Sequence, residues 1–155
     1  MSDIVCRPAR LEDCDAIATM VRRLAADTGA STVPRAEPAD YARFGFGDAP
    51  ILRLYVAERA GETIGCLVGE VIFSTWRGKP GLYVCDLHVE AGHRGRGTGA
   101  RLIDCAVRHA PPHGYGFVKL EVMDDNRDAQ RFYKRLGFEA KPEEVTHVLT
   151  LTPSP

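Results

Sequence analysis

The segment that most constrains this chain is Leu87-His88-Val89-Glu90-Ala91-Gly92-His93-Arg94-Gly95-Arg96-Gly97-Thr98-Gly99-Ala100-Arg101-Leu102. A strand-like run ends, glycines permit tight backbone turns, and an amphipathic run begins. Backbone N–H groups at such a turn converge on whatever anion sits at the helix N-terminus. Arg94, Arg96 and Arg101 add positive charge, with no acid between His93 and Arg101. The natural guest is a pyrophosphate. A P-loop requires G-x-x-x-x-G-K-[ST]. Gly92 and Gly97 have that spacing, but Thr98-Gly99 replaces the Lys-Ser/Thr pair, which removes an ATP–Mg²⁺ site of that kind. A dinucleotide fingerprint is matched in permissive form by Gly95-x-Gly97-x-x-Ala100, with Glu121 about 20 residues on. A glycine turn with a structural role alone is the plain alternative.

The surrounding pattern decides which anion site this is. Ile4–Arg7 reads as a strand. Ile17, Met20, Val21, Leu24 and Ala25 make a helical stripe within Leu11–Ala26. Residues 28–50 are irregular, with a short helix expected near Ala39–Phe44. Ile51–Glu58, Thr63–Phe73 and Leu82–Val89 read as strands, the first two joined as a hairpin by Ala60-Gly61. A helix is expected from Gly97 to Ala110, stopped by Pro111-Pro112. Phe117–Met123 follows as a strand, Asp128–Leu136 as a helix ended by Gly137, and Thr146–Leu151 as a last strand. Thr152–Pro155 is expected to fray. The order is α+β, with antiparallel strands before the loop and one β-α-β unit after it. A dinucleotide fold needs successive parallel units instead.

Composition narrows the class. At 155 residues, 45% apolar and 26% charged, the chain has the make-up of one globular domain with its own core. A net charge of −1 argues against a general nucleic-acid or membrane-surface binder. Four of the 20 basic residues are lysines and the rest arginines, whose planar fork suits phosphate. Five scattered cysteines without a C-x-x-C pair indicate neither a metal site nor a disulfide framework. No apolar run reaches the length of a membrane span, and the first residues lack a signal-peptide core. A reduced, cytoplasmic setting is the expectation.

Arg94-x-x-Gly97-x-Gly99 resembles the acetyl-CoA pyrophosphate loop of the GNAT superfamily of N-acetyltransferases. Asn126-Arg127-Asp128-Ala129-Gln130-Arg131-Phe132-Tyr133-Lys134-Arg135-Leu136-Gly137-Phe138 is similar to that superfamily's N-x-x-A-x-x-F-Y-x-x-x-G-F motif. Arg7-Pro8-Ala9 with Asp13-Cys14, Phe44-Gly45-Phe46-Gly47, Trp76-Arg77-Gly78-Lys79 and Tyr83–Val89 resemble its diamine branch, the spermidine/spermine and thialysine acetyltransferases. The resemblance implies one domain over residues 1–155. It would be a mixed, mostly antiparallel central sheet flanked by helices in three layers. It also implies direct acetyl transfer from acetyl-CoA to a small primary amine, without a metal, in a homodimer.

By resemblance, the cosubstrate contacts fall to Leu87, Val89, Arg94, Gly95, Arg96, Gly97, Thr98, Gly99, Ala100, Asn126, Ala129, Phe132 and Tyr133. The Leu87 and Val89 main chains would hold the pantetheine arm like an added strand. Asn126 would bond its amide, and Tyr133 would serve as general acid toward the thiolate. The chemistry also needs a proton route, because a primary amine with a pKa near ~10.4 is neutral at pH 7 only on the order of 0.1% of the time. Alternation puts Val84, Asp86 and His88 on one strand face, opposite Tyr83, Cys85 and Leu87, unless a bulge intervenes. Asp86 is a candidate base or amine anchor, His88 a candidate relay. Trp76, Cys85 and Asp86 are the expected acceptor-side residues. The diamine branch carries Glu-Asp where this chain has Cys85-Asp86, which leaves base and polyamine preference open. The competing classes are a non-catalytic acyl-CoA-binding module, an acetyltransferase for protein or peptide amines, and a nucleotide-binding oxidoreductase.

Overall fold

The computed structural model describes residues 3–151, so the expected frayed tail at 152–155 lies outside the described residues. The chain divides into two compact units between Glu121 and Val122. The first holds a five-stranded sheet in the order β1 (Val5–Pro8), β2 (Arg53–Arg59), β3 (Glu62–Ser74), β4 (Lys79–Val89) and β5 (Phe117–Leu120). The first three pairings are antiparallel and the last, β4 with β5, is parallel. The fold is α+β with a mostly antiparallel sheet.

Helices α1 (Cys14–Asp27) and α2 (Pro38–Gly45) cover one face, and α3 (Thr98–Arg108) covers the other. Strand alternation sorts the core between them. Leu54, Val56, Cys66 and Val68 pack with Ile17, Ala18, Met20, Val21 and Tyr41 of α1 and α2. The intervening Gly65 faces Leu102 of α3, and Leu67 is fully buried on the same side. The sheet of this first unit is thus covered by helices on both faces. Arg7 fastens the entry to α1. Its guanidinium donates to Asp13 at 2.8 Å and to Glu58 of β2 at 2.9 Å, while Asp13 also accepts the Arg10 N–H. Arg7-Pro8-Ala9 and Asp13 therefore have a structural task here.

Sequence and structure agree on the elements from β1 to α3 to within a few residues. In the second unit, α4 spans Arg127–Arg135. Asn126 caps it, its Oδ1 accepting the Ala129 N–H at 3.2 Å. The expected strand Thr146–Leu151 does not form. Residues 145–151 carry no regular structure, and Val145, Val148, Leu149 and Leu151 are exposed. Apolar alternation specifies a strand only where an edge pairs with it. Among the described residues no helix is long and apolar enough to cross a membrane.

Candidate functional site

The strand-to-loop-to-helix junction is built as the glycine pattern demands. Gly95 and Gly97 hold φ of 72° and 76°, left-handed values that side chains rarely adopt. Gly97 is the N-cap of α3 and supplies no side-chain cap. The first helical bond is Arg101 N–H to the Gly97 carbonyl. The N–H groups of Thr98, Gly99 and Ala100 therefore lack helical partners, and they point out of the helix start with its positive dipole end. A Cβ built on either Gly95 or Gly97 meets no protein atom within 4 Å, so the space in front of the turn is open. The Thr98 hydroxyl is buried without a hydrogen-bond partner. An anion with several oxygens fits this arrangement.

The three loop arginines differ in what they touch. Arg94 turns back on the protein, its Nε donating to the Val89 carbonyl at 2.7 Å and its Nη2 to Asp27 at 2.6 Å. Arg101 donates to the Ile4 carbonyl. Arg96 is exposed and makes no ion pair among the described residues. It is the cation the loop presents outward.

Beside the loop, the sheet opens. Pairing of β4 with β5 ends at Val84–Leu120, five residues before β4 does. The Glu90 N–H reaches Ile64 of β3. Ladder alternation then turns the Leu87 and Val89 N–H groups away from β3, toward the splayed side. A chain laid along this edge would meet two strand N–H donors and the Leu87 carbonyl, since Val89's is held by Arg94.

A bulge changes the expected faces. Val68 pairs with Asp86 and Gly69 with Val84, so Cys85 is the extra residue. Asp86 and His88 still share a face, opposite Val68 and Cys66 toward α1 and α2. Val84 moves to the other face with Leu82, which corrects the plain alternation. Asp86 is half-buried and makes no hydrogen bond or ion pair among the described residues, and burial raises its pKa. It lies near Tyr41 of α2, whose hydroxyl is pushed up to about 12, chiefly by burial and then by Asp86. His88 is 3% exposed. Its Nε2 lacks a hydrogen bond and sits 3.7 Å from Glu90 Oε2. Burial holds its pKa below the ordinary value, with Arg94 adding to that and Glu90 opposing it. The imidazole is neutral near pH 7. The Cys85 thiol is pushed up to about 11 by burial and the nearby Glu70 and Asp86, so it is a poor thiolate source.

Trp76 stands apart from this group. It is fully exposed in the β3–β4 turn, and Asp86 lies seven positions along β4 from Lys79, a span of roughly 20 Å at strand rise. In the second unit, Ala129, Phe132 and Tyr133 lie on α4. The Tyr133 ring meets Phe132 at 5.0 Å and Phe138 at 5.4 Å, both edge to face. A crevice of about 400 Å³ between α1 and the ends of β3 and β4 is lined by Asp15, Arg23, Glu62, Glu90 and His93. Neither Asp86 nor any residue of 94–100 lines it, so it is not where the loop and carboxylate meet. Tyr41, Glu90 and Asp27 were not singled out in the sequence. Only their place against β4 and the loop reveals them.

Comparison with known proteins adds a family. Residues 18–138 match the acetyltransferase (GNAT) family. The thialysine N-epsilon-acetyltransferase of Sus scrofa is 33% identical over 145 residues, covering 88% of this chain and 85% of that protein. Streptothricin acetyltransferase of Streptomyces lavendulae is 38% identical over 87 residues, 56% of this chain and 44% of that one. The fold is similar to an aminoglycoside acetyltransferase from a soil metagenome solved with sisomicin. That likeness has a TM-score of 0.76 at 17% identity and covers 96% and 97% of the two chains.

Proposed function

The chain belongs to the GNAT family of acetyltransferases, and from that premise we propose that it moves an acetyl group from acetyl-CoA directly to a primary amine of a small molecule. The observation that carries the reading is the loop at α3. Two left-handed glycines, three unpaired helix N–H groups and open space before them suit a pyrophosphate. The edge of β4 beside it offers strand-like bonds to an extended amide-bearing arm. The relatives named for thialysine and streptothricin support a small amine acceptor, of the diamine or amino-acid-like kind.

In this reading the Leu87 and Val89 N–H groups polarise the acetyl carbonyl as it gains negative charge. Asp86 attracts the ammonium and accepts its proton, a task its raised pKa suits better than an ordinary carboxylate's. His88, buried and neutral, is the second candidate for that proton. The Tyr133 hydroxyl protonates the departing thiolate. Binding both reactants supplies proximity and orientation. A panel of diamines, polyamines, amino acids and aminoglycosides with acetyl-CoA, read by free-thiol release, tests the reading. Thiol release dependent on one amine class is the expected result. Tight acetyl-CoA binding with no turnover across the panel would favour a non-catalytic acyl-CoA module instead.

A further inference from the structure

We infer that Arg23 and Asp27, in the last two turns of α1, are positioning residues that hold the glycine-rich loop in its anion-binding shape. The inference rests on the reading of that loop as the acetyl-CoA site. Asp27 Oδ2 accepts from Arg94 Nη2 at 2.6 Å, and Arg94 Nε donates to the Val89 carbonyl at 2.7 Å. One guanidinium thereby ties the helix, the end of β4 and the entry to the loop. One helical turn earlier, Arg23 pairs with Glu90, the residue that follows β4.

The two contacts are crossed in charge and matched in spacing. Arg23 and Asp27 are four apart on the helix, and Glu90 and Arg94 are four apart on the chain. A cation on the helix meets an anion before the loop, and an anion on the helix meets a cation inside it. Reversing the loop along the helix would face Arg23 with Arg94 and Asp27 with Glu90, two like-charge contacts. The pairs therefore set register as well as proximity.

Such a device matters because the residues just past Arg94 are the least constrained of the site. Gly95 and Gly97 sample more backbone states than any other residue, and each state must be given up when the loop closes on an anion. The start of α3 fixes the loop's exit, and the clamp on Arg94 fixes its entry. Ordering the loop beforehand lowers the entropy lost on binding. Arg94 thus shapes the loop from within, while Arg96 remains the cation facing outward.

Both pairs lie at the surface, about half exposed except for Glu90, so they contribute little to global stability and their removal leaves a folded protein. Isothermal titration with acetyl-CoA on the full chain, beside steady-state kinetics, tests the role. Asp27→Asn and Arg23→Gln should each raise the acetyl-CoA Kd and KM by about 2–5-fold, the range an exposed pair supplies. At saturating acetyl-CoA, kcat and the amine KM should stay at wild-type values. Asp27→Glu, which restores the charge, should return the Kd toward wild type. Wild-type affinity in Asp27→Asn, or a fall in kcat and Tm that Asp27→Glu does not rescue, would overturn the inference. A wild-type chain that gives no heat with acetyl-CoA would sink the loop reading itself, a failure visible before any variant is made.

Discussion

Asp86 brings a carboxylate into a half-buried position on β4, where no cation among the described residues offsets its lost hydration, and burial raises its pKa. Between the unfolded value near 3.8 and the raised folded value, the folded chain binds the proton more tightly. Stability therefore falls as pH rises through that interval, and the full cost persists above it. Asp86→Asn should raise Tm above wild type at pH 8, and the two curves should converge below pH 4. His88 acts in the opposite sense. Its lowered pKa costs stability as pH falls through about 6.5, but both proteins share it and the difference cancels. In the same variant kcat should fall by roughly 10²–10⁴-fold if Asp86 takes the amine proton. A Tm gain independent of pH, with turnover intact, would remove Asp86 from the chemistry. Tyr133→Phe asks the matching question of the leaving group. The ring keeps its edge contacts to Phe132 and Phe138, so the aromatic packing of α4 is retained and acetyl-CoA affinity should hold. Losing the proton donor should lower kcat by roughly 10²–10⁴. Full turnover in the folded Phe variant would deny the hydroxyl that role.

The strand-loop-helix element makes a separate claim, that backbone at Gly97 must leave room for the ligand. A Cβ at Gly97 meets no protein atom within 4 Å, so the main folding cost of Gly97→Val is the left-handed dihedral, roughly 1–2 kcal/mol. Its methyls enter the space before the α3 N-terminus, and acetyl-CoA binding should weaken by ~10²-fold or more. A folded Gly97→Val chain with wild-type affinity by calorimetry would move the site off this loop. That element was legible in the sequence because three signals coincide: an apolar run, glycines among arginines, and a helical stripe from Leu102. The bulge at Cys85 was not legible from β4, whose alternation looks unbroken. Its signal lies across the ladder at Gly69, where a Cβ would come within 3.0 Å of the Tyr83 carbonyl, and a strand glycine of that kind often marks a bulge. The clamp from α1 had no signal in the sequence. Asp27 lies 67 residues before Arg94, and ion pairs over that separation leave no period to read. The strand expected at Thr146–Leu151 shows the reverse case, a local pattern without a partner edge.

At the scale of the whole molecule, ligand binding and folding are one equilibrium. A ligand that binds only the folded chain, present at 100 times its Kd, stabilises it by about 2.7 kcal/mol. For a chain of this size each kcal/mol moves Tm by about 2–4 °C. Acetyl-CoA should therefore raise Tm by several degrees, and desacetyl CoA nearly as much, because the pyrophosphate proposed for the loop is common to both. ATP–Mg²⁺ should give no shift: Thr98 and Gly99 stand where a P-loop needs Lys and Ser/Thr, and no lysine falls between Lys79 and Lys119. NAD should give none either, because the strands before the loop are antiparallel and the sheet lacks the successive parallel β-α-β units of a dinucleotide fold. The discriminating control is Gly97→Val measured in the same series. If acetyl-CoA shifts wild type and not this variant, the stabilisation is localised to the α3 N-terminus. If ATP or NAD shifts the wild-type chain as far as acetyl-CoA does, the site recognises a phosphate without recognising CoA, and the assignment of the cosubstrate fails while the fold stands.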